Sequence, residues 1–148
     1  MYIVLKGKLG NFLYSLKDMK KRETQLIKKF PEGTFIWGTN RRISSLEKGV
    51  KVLFYLTGEG IESGIVFYGE ILSVGELKEK YWPEGEWKYW IAIKVEKMPK
   101  SIIEYDDPSK WHYVTYEELK SLGFRPLPWP QKIEDELAKK IISMLEKK

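Results

Sequence analysis

Tyr2-Ile3-Val4-Leu5-Lys6 opens the chain as an apolar, β-branched run, which predicts a strand closed by the glycines of residues 7–10. From Asn11, a residue type favoured at helix N-caps, Phe12, Leu16, Met19, Leu26 and Phe30 recur at helical spacing. That pattern predicts one long helix ended by Pro31. Phe35-Ile36-Trp37 is extended in character and breaks at Gly38, and Ile43 with Leu46 suggests a short helical turn. Residues 51–57 are almost continuously apolar, as a buried strand is. The next strand, 65–74, carries Gly69 in its middle, where glycine marks a bulge, a corner or a close approach.

Residues 87–95 alternate, with Trp87, Tyr89, Ile91, Ile93 and Val95 on one face and Lys88, Trp90, Ala92 and Lys94 on the other. This predicts a half-buried strand. Residues 101–114 read as irregular. Thr115 and Glu118 have the spacing of a capping box for a short helix that stops at Gly123. Leu127-Pro128-Trp129-Pro130 reads as a rigid linker, with Pro130 near the first turn of a last helix whose docking stripe is Ile133, Leu137, Ile141 and Leu145. The order is strand, helix, consecutive short strands, then helices. It predicts an α+β fold in which a curved mixed β-sheet or small barrel is flanked by helices, as a single domain over 1–148.

Composition narrows the chemistry. With no Cys there is no disulfide framework, thiol nucleophile or Cys-ligated zinc, and His112 as the only histidine excludes a multi-His metal site. No metal or cofactor is expected. No apolar run approaches the ~18 residues of a membrane span and no signal peptide opens the chain, so a cytoplasmic protein is the default. Abundant Lys and Glu fit a thermophile composition. The 26 basic and 21 acidic residues leave a net charge of +5, which permits nucleic-acid binding without proving it. Six tryptophans are more than one small core needs, and half-exposed indoles on a basic protein suit a stacking platform.

Two stretches concentrate that chemistry. In Phe35-Ile36-Trp37-Gly38-Thr39-Asn40-Arg41-Arg42 an indole at a strand end is followed by small polar groups and two guanidinium groups. In Tyr81-Trp82-Pro83-Glu84-Gly85-Glu86-Trp87 a Pro/Gly loop is bracketed by two indoles. Trp37, Trp82 and Trp87 are the candidate cage for one nucleobase. Gly38, Thr39 and Asn40 are candidate base-edge contacts, and Arg41, Arg42 and Lys88 candidate phosphate contacts. Glu84 and Glu86 should point outward, because an unpaired carboxylate inside an aromatic box is heavily penalised. Removing Trp37 is expected to leave the domain largely folded. Trp90, Trp111 and Trp129 are assigned to packing. The basic face Lys17, Lys20, Lys21, Arg22, Lys28 and Lys29 is a solvated surface in the plainer reading.

At the second pair of indoles the chain resembles the PUA-like superfamily, and within it the YTH and EVE domains. Tyr2-Ile3-Val4-Leu5-Lys6-Gly7 is similar to the first YTH strand, and Ile36-Trp37-Gly38-Thr39-Asn40 to the segment carrying the first cage tryptophan. Val52-Leu53-Phe54-Tyr55 and Phe67-Tyr68-Gly69-Glu70-Ile71 resemble the paired strands that follow. Tyr81-Trp82 and Trp87, ahead of Met98-Pro99-Lys100-Ser101-Ile102, look like the region of the other cage aromatics. The resemblance implies a reader module that takes a flipped, methylated base from DNA or RNA. It also implies occurrence beside McrB-like restriction proteins. Two other readings remain: a PUA-like RNA-modification or processing enzyme drawing on Glu62, Glu70, Glu84, Glu86, Asp106 or Asp107, and a protein-interaction module.

Overall fold

A computed structural model describes residues 2–148. Strand β1 (Tyr2–Lys8) runs directly into helix α1 (Leu9–Lys21). Strands β2 (Thr34–Thr39), β3 (Lys51–Thr57), β4 (Gly64–Glu76) and β5 (Tyr89–Lys97) follow. Then come α2 (Lys100–Glu104), β6 (Val114–Thr115), α3 (Tyr116–Ser121), β7 (Gln131–Ile133) and α4 (Asp135–Glu146). The strands form one mixed, curved, open sheet in the order β2-β5-β4-β3-β1-β7. Only the β1–β3 pair is parallel among those described, and β6 takes the first two residues of β4, which β5 does not reach.

Gly69 makes the curvature possible. The β4–β5 register slips between Tyr68 and Gly69, and a Cβ at Gly69 would fall on the Lys94 carbonyl oxygen. A further slip between Ile71 and Ser73 continues the bend. The concave face holds an aromatic-rich core in which Phe12 of α1 meets Phe35 and Phe54 at ring separations of 5.4 and 5.3 Å. The other face packs Val4, Leu53, Tyr55 and Ile65 against Leu119 of α3 and Ala138, Ile141, Ile142 and Leu145 of α4. The capping box of α3 forms as read, with the Thr115 hydroxyl accepting from the Glu118 N–H and Glu118 accepting from Thr115.

Several local expectations fail for identifiable reasons. The first helix begins at Leu9, with Lys8 rather than Asn11 as its N-cap, and ends at Lys21 instead of reaching Phe30. Arg22 turns left-handed at φ 54°, and the Asp18 carboxylate takes both the Thr24 N–H (3.1 Å) and the Thr24 hydroxyl (2.7 Å). Those local bonds compete with the next helical turn. The short turn read at Ile43 and Leu46 does form, with the Leu46 N–H donating to the Ile43 carbonyl at 3.1 Å. Residues 101–114 are not wholly irregular, since α2 and a 3₁₀ turn at Pro108–Lys110 occupy part of them; five residues are too few to display a helical period. Pro130, preceded by a cis peptide bond, leads into β7 instead of the last helix. Ile133 is consequently a strand residue paired with Tyr2.

Candidate nucleic-acid interface

The sheet's curl brings β2, one edge, up to β1, one strand in from the other edge. The Trp37 ring spans the seam: a Cβ on Gly7 would collide with its six-membered ring and meet Phe54 Cζ at 2.7 Å. Above this seam opens a cleft of about 660 Å³. Gly7, Trp37, Gly38, Trp87 and Trp129 line it, and so do the charged Arg41 and Glu84. That volume lies in the ~300–1,000 Å³ range of sites that enclose a whole small ligand, so the space is roomier than one base.

Each aromatic has its own support. Trp37 lies inside β2, which does not break at Gly38 as expected but stays paired with β5 through Thr39. Every residue of that strand is buried, and Trp37 is only 5% exposed and packs edge-on against Phe54 (4.8 Å) and Trp82 (4.4 Å). Trp37 is therefore core and cleft floor together. Trp82, expected as a cage wall, lies behind that floor at 1% exposure. Its indole N–H donates to the Ser15 hydroxyl at 2.9 Å, and its ring contacts Trp37 and Trp87 edge-on, so packing draws it away from the cleft surface. Trp87 is half-buried, folds back over Gly85 (φ 80°) and donates to the Glu84 carbonyl at 3.1 Å.

The loop carrying Trp82 and Trp87 is anchored on α1. Tyr81 donates its hydroxyl to the Asp18 carboxylate at 2.7 Å, the same carboxylate that ends the helix. Burial, then the hydrogen bond to Asp18, pushes the Tyr81 phenol above its ordinary value. At the loop's neck the Leu77 N–H bonds the Lys88 carbonyl (2.8 Å) and the Lys88 N–H bonds the Thr39 carbonyl (3.1 Å). The aromatic loop is thereby tied both to α1 and to the end of β2.

The polar candidates divide. Gly38, Thr39 and Asn40 line the cleft; Gly38 sits against the Trp82 ring, and the Thr39 hydroxyl donates to the Arg41 carbonyl at 2.8 Å. Arg41 borders the cleft and reaches the Trp129 carbonyl (3.4 Å). Arg42 and Lys88 are exposed and lie outside the cleft lining. Glu84 and Glu86 are both exposed, but Glu84 lines the cleft, contrary to the expectation that both stand outside it. Of the other acidic candidates, Glu70 pairs with Lys51 (2.9 Å), Asp106 with Lys20 (3.4 Å), and Asp107 caps the Ser109 N–H (3.0 Å). The hydrogen bond from Lys51 holds the Glu70 carboxyl below its ordinary range. Among the described residues no three His, Cys, Asp or Glu side chains gather as a metal site, and no helix is long and apolar enough to cross a membrane.

Two features of the cleft were not anticipated. Trp129 lines it, although its place between two prolines reads as a linker. Gly7, together with Lys8 and Asn11 at the β1–α1 corner, also lines it. Gly7 between two lysines was the only available signal, and it is shared with any strand-ending turn.

This architecture aligns with solved structures over nearly its whole length. The YTH domain of Mmi1, determined in complex with RNA, matches 99% of this chain and 77% of its own, with a TM-score of 0.58 and 9% identity. The ASCH protein from Zymomonas mobilis matches 97% and 94%, with a TM-score of 0.52 and 13% identity. Rpa0253 from Rhodopseudomonas palustris matches 98% and 92%, at 0.50 and 17%. The fold is PUA-like. At these identities the likeness is one of fold. No protein-family model matches the chain, and no curated protein matches it in sequence.

Proposed function

We propose that this PUA-like domain is a nucleic-acid reader that accommodates a flipped, methylated base in the Trp-lined cleft. The observation that carries this reading is the cleft itself, where Trp37, Trp87 and Trp129 share one cavity with Arg41 on its border. Extruding a base costs a few kcal/mol of unstacking, and each aromatic stack returns ~1–3 kcal/mol. Two available rings are therefore enough to hold an extruded base. A buried methyl group adds only ~0.8 kcal/mol, about fourfold in affinity. Selectivity for the methylated form then depends on fit and on edge contacts, for which the backbone at Gly38 and Thr39 and the Asn40 amide are the candidates. Arg41 and Arg42 would hold phosphates, which position a strand without reading its sequence.

The fold-level neighbour solved with RNA favours RNA as the first polymer to try. The testing experiment is an anisotropy titration with short single-stranded RNA and DNA, each with and without one methylated base, over a series of salt concentrations. Salt-dependent binding with preference for the methylated strand is expected. Absence of binding to all four strands would overturn the reading. Association with a McrB-like restriction protein is a further part of the proposal, supported by the resemblance alone.

A further inference from the structure

Trp129 rides on a strap that the fold holds with unusual care. Gln131, itself buried, donates its side-chain amide to the Arg125 carbonyl at 2.8 Å and accepts the Leu127 N–H at 3.0 Å. One side chain thus gathers residues 125–131 into a compact bend. Arg41 reaches across from the end of β2 and donates to the Trp129 carbonyl at 3.4 Å. The outside of the bend faces solvent, with Leu127 51% exposed, while Trp129 faces the cleft region and lines it.

The indole N–H of Trp129 is shut off from solvent and has no acceptor on the protein. Other indoles of the chain contrast with it: Trp82 donates to Ser15, Trp87 to the Glu84 carbonyl, and Trp111 to the Tyr105 carbonyl. A buried donor without a partner is costly to maintain, and this one belongs to a residue that lines the cleft.

We propose that Trp129 is a ligand-contacting wall of the cleft whose indole N–H donates to an acceptor on the base edge, a carbonyl oxygen or an unprotonated ring nitrogen. This rests on the nucleobase reading of the cleft and adds a specificity-determining residue to it. The N–H is shielded in the free protein, so an acceptor reaches it only if the strap moves as the ligand seats. A base edge carrying only donors would leave the indole unpaired and is disfavoured accordingly.

The indole region of a ¹H–¹⁵N spectrum tests this, because each tryptophan contributes one resonance and loss of a peak in Trp129→Phe assigns Trp129. The probes are a short single-stranded RNA carrying one N6-methyladenine and its DNA counterpart. The Trp129 resonance should move downfield at saturation. Trp129→Phe keeps a stacking ring but loses the donor, and should bind roughly three- to tenfold more weakly with a melting temperature no lower than wild type. If the Trp37 and Trp87 indoles respond while Trp129 stays unmoved, or if the Phe variant binds as tightly as wild type, the proposal is overturned and the cleft reading survives. If no indole responds to either strand, both fall together. Should the Phe variant not fold, the wild-type spectrum, assigned through the backbone, decides alone.

Discussion

The ring of Trp37 lies directly against the Cα of Gly7, joining two strands that are not neighbours in the sheet. Any side chain on Gly7 would occupy the space of that ring. Gly7→Ala should therefore force Trp37 aside and destabilise the domain by at least the ~1–3 kcal/mol typical of overpacking. Urea unfolding of the variant measures this; an unchanged midpoint would mean that the seam is not packed as described.

Trp37 and Trp87 should separate stability from binding. Trp37 is buried among Phe35, Phe54 and Trp82, so Trp37→Ala should cost ~3–5 kcal/mol of stability, contrary to the expectation of a largely intact domain. Trp87 is half-buried at the cleft wall. Trp87→Ala should lose ~1–3 kcal/mol of base stacking with a much smaller loss of stability. A thermal melt paired with an oligonucleotide titration on both variants checks the split.

Arg41 and Arg42 supply a test by salt. Replacing both with Gln should lower the slope of log affinity against log salt by about two phosphate contacts, for every sequence alike. Arg41, at the cleft border, should carry the larger share of the affinity loss. An unaltered slope would show that both guanidinium groups are merely solvated.

The sequence made the sheet legible because each long strand combines a continuous or alternating apolar pattern with a glycine or proline boundary. Gly69 announced a bend, and Thr115 with Glu118 announced a helix start. The first helix was overextended because Leu26 and Phe30 continue its apolar period. What stops it, the capture of Thr24 by the Asp18 carboxylate, is a side-chain choice that periodicity does not record. Of the cleft lining, two stretches were legible, around Trp37 and around Trp87. Which indoles face the cleft was not, since exchanging Trp82 for Trp129 depends on Ser15 and Gln131 hydrogen bonds that only the folded chain supplies.

Glu118 offers a pH test of the packing beneath α3. Burial alone would raise its carboxyl, but hydrogen bonds from Lys148 at 2.8 Å and from Thr115 outweigh that and hold it below its ordinary 4.5. A carboxyl lowered on folding stabilises above its unfolded value, and the contribution disappears as pH falls through the folded value. The stability difference between wild type and Glu118→Gln should thus be constant near neutrality and shrink below about pH 4.5. Chemical denaturation at a series of pH values measures it, and a gap that widens in acid would contradict the assignment.

The central claim is that the Trp-lined cleft receives a single extruded base. The most direct measurement is a crystal structure of the domain soaked with methylated nucleosides. The account predicts a base in the cleft stacked on Trp87, resting against Trp37 and hydrogen-bonded by the Trp129 indole, with Trp82 still behind the floor. Density for the nucleoside elsewhere, or an empty cleft at saturating nucleoside, would contradict it.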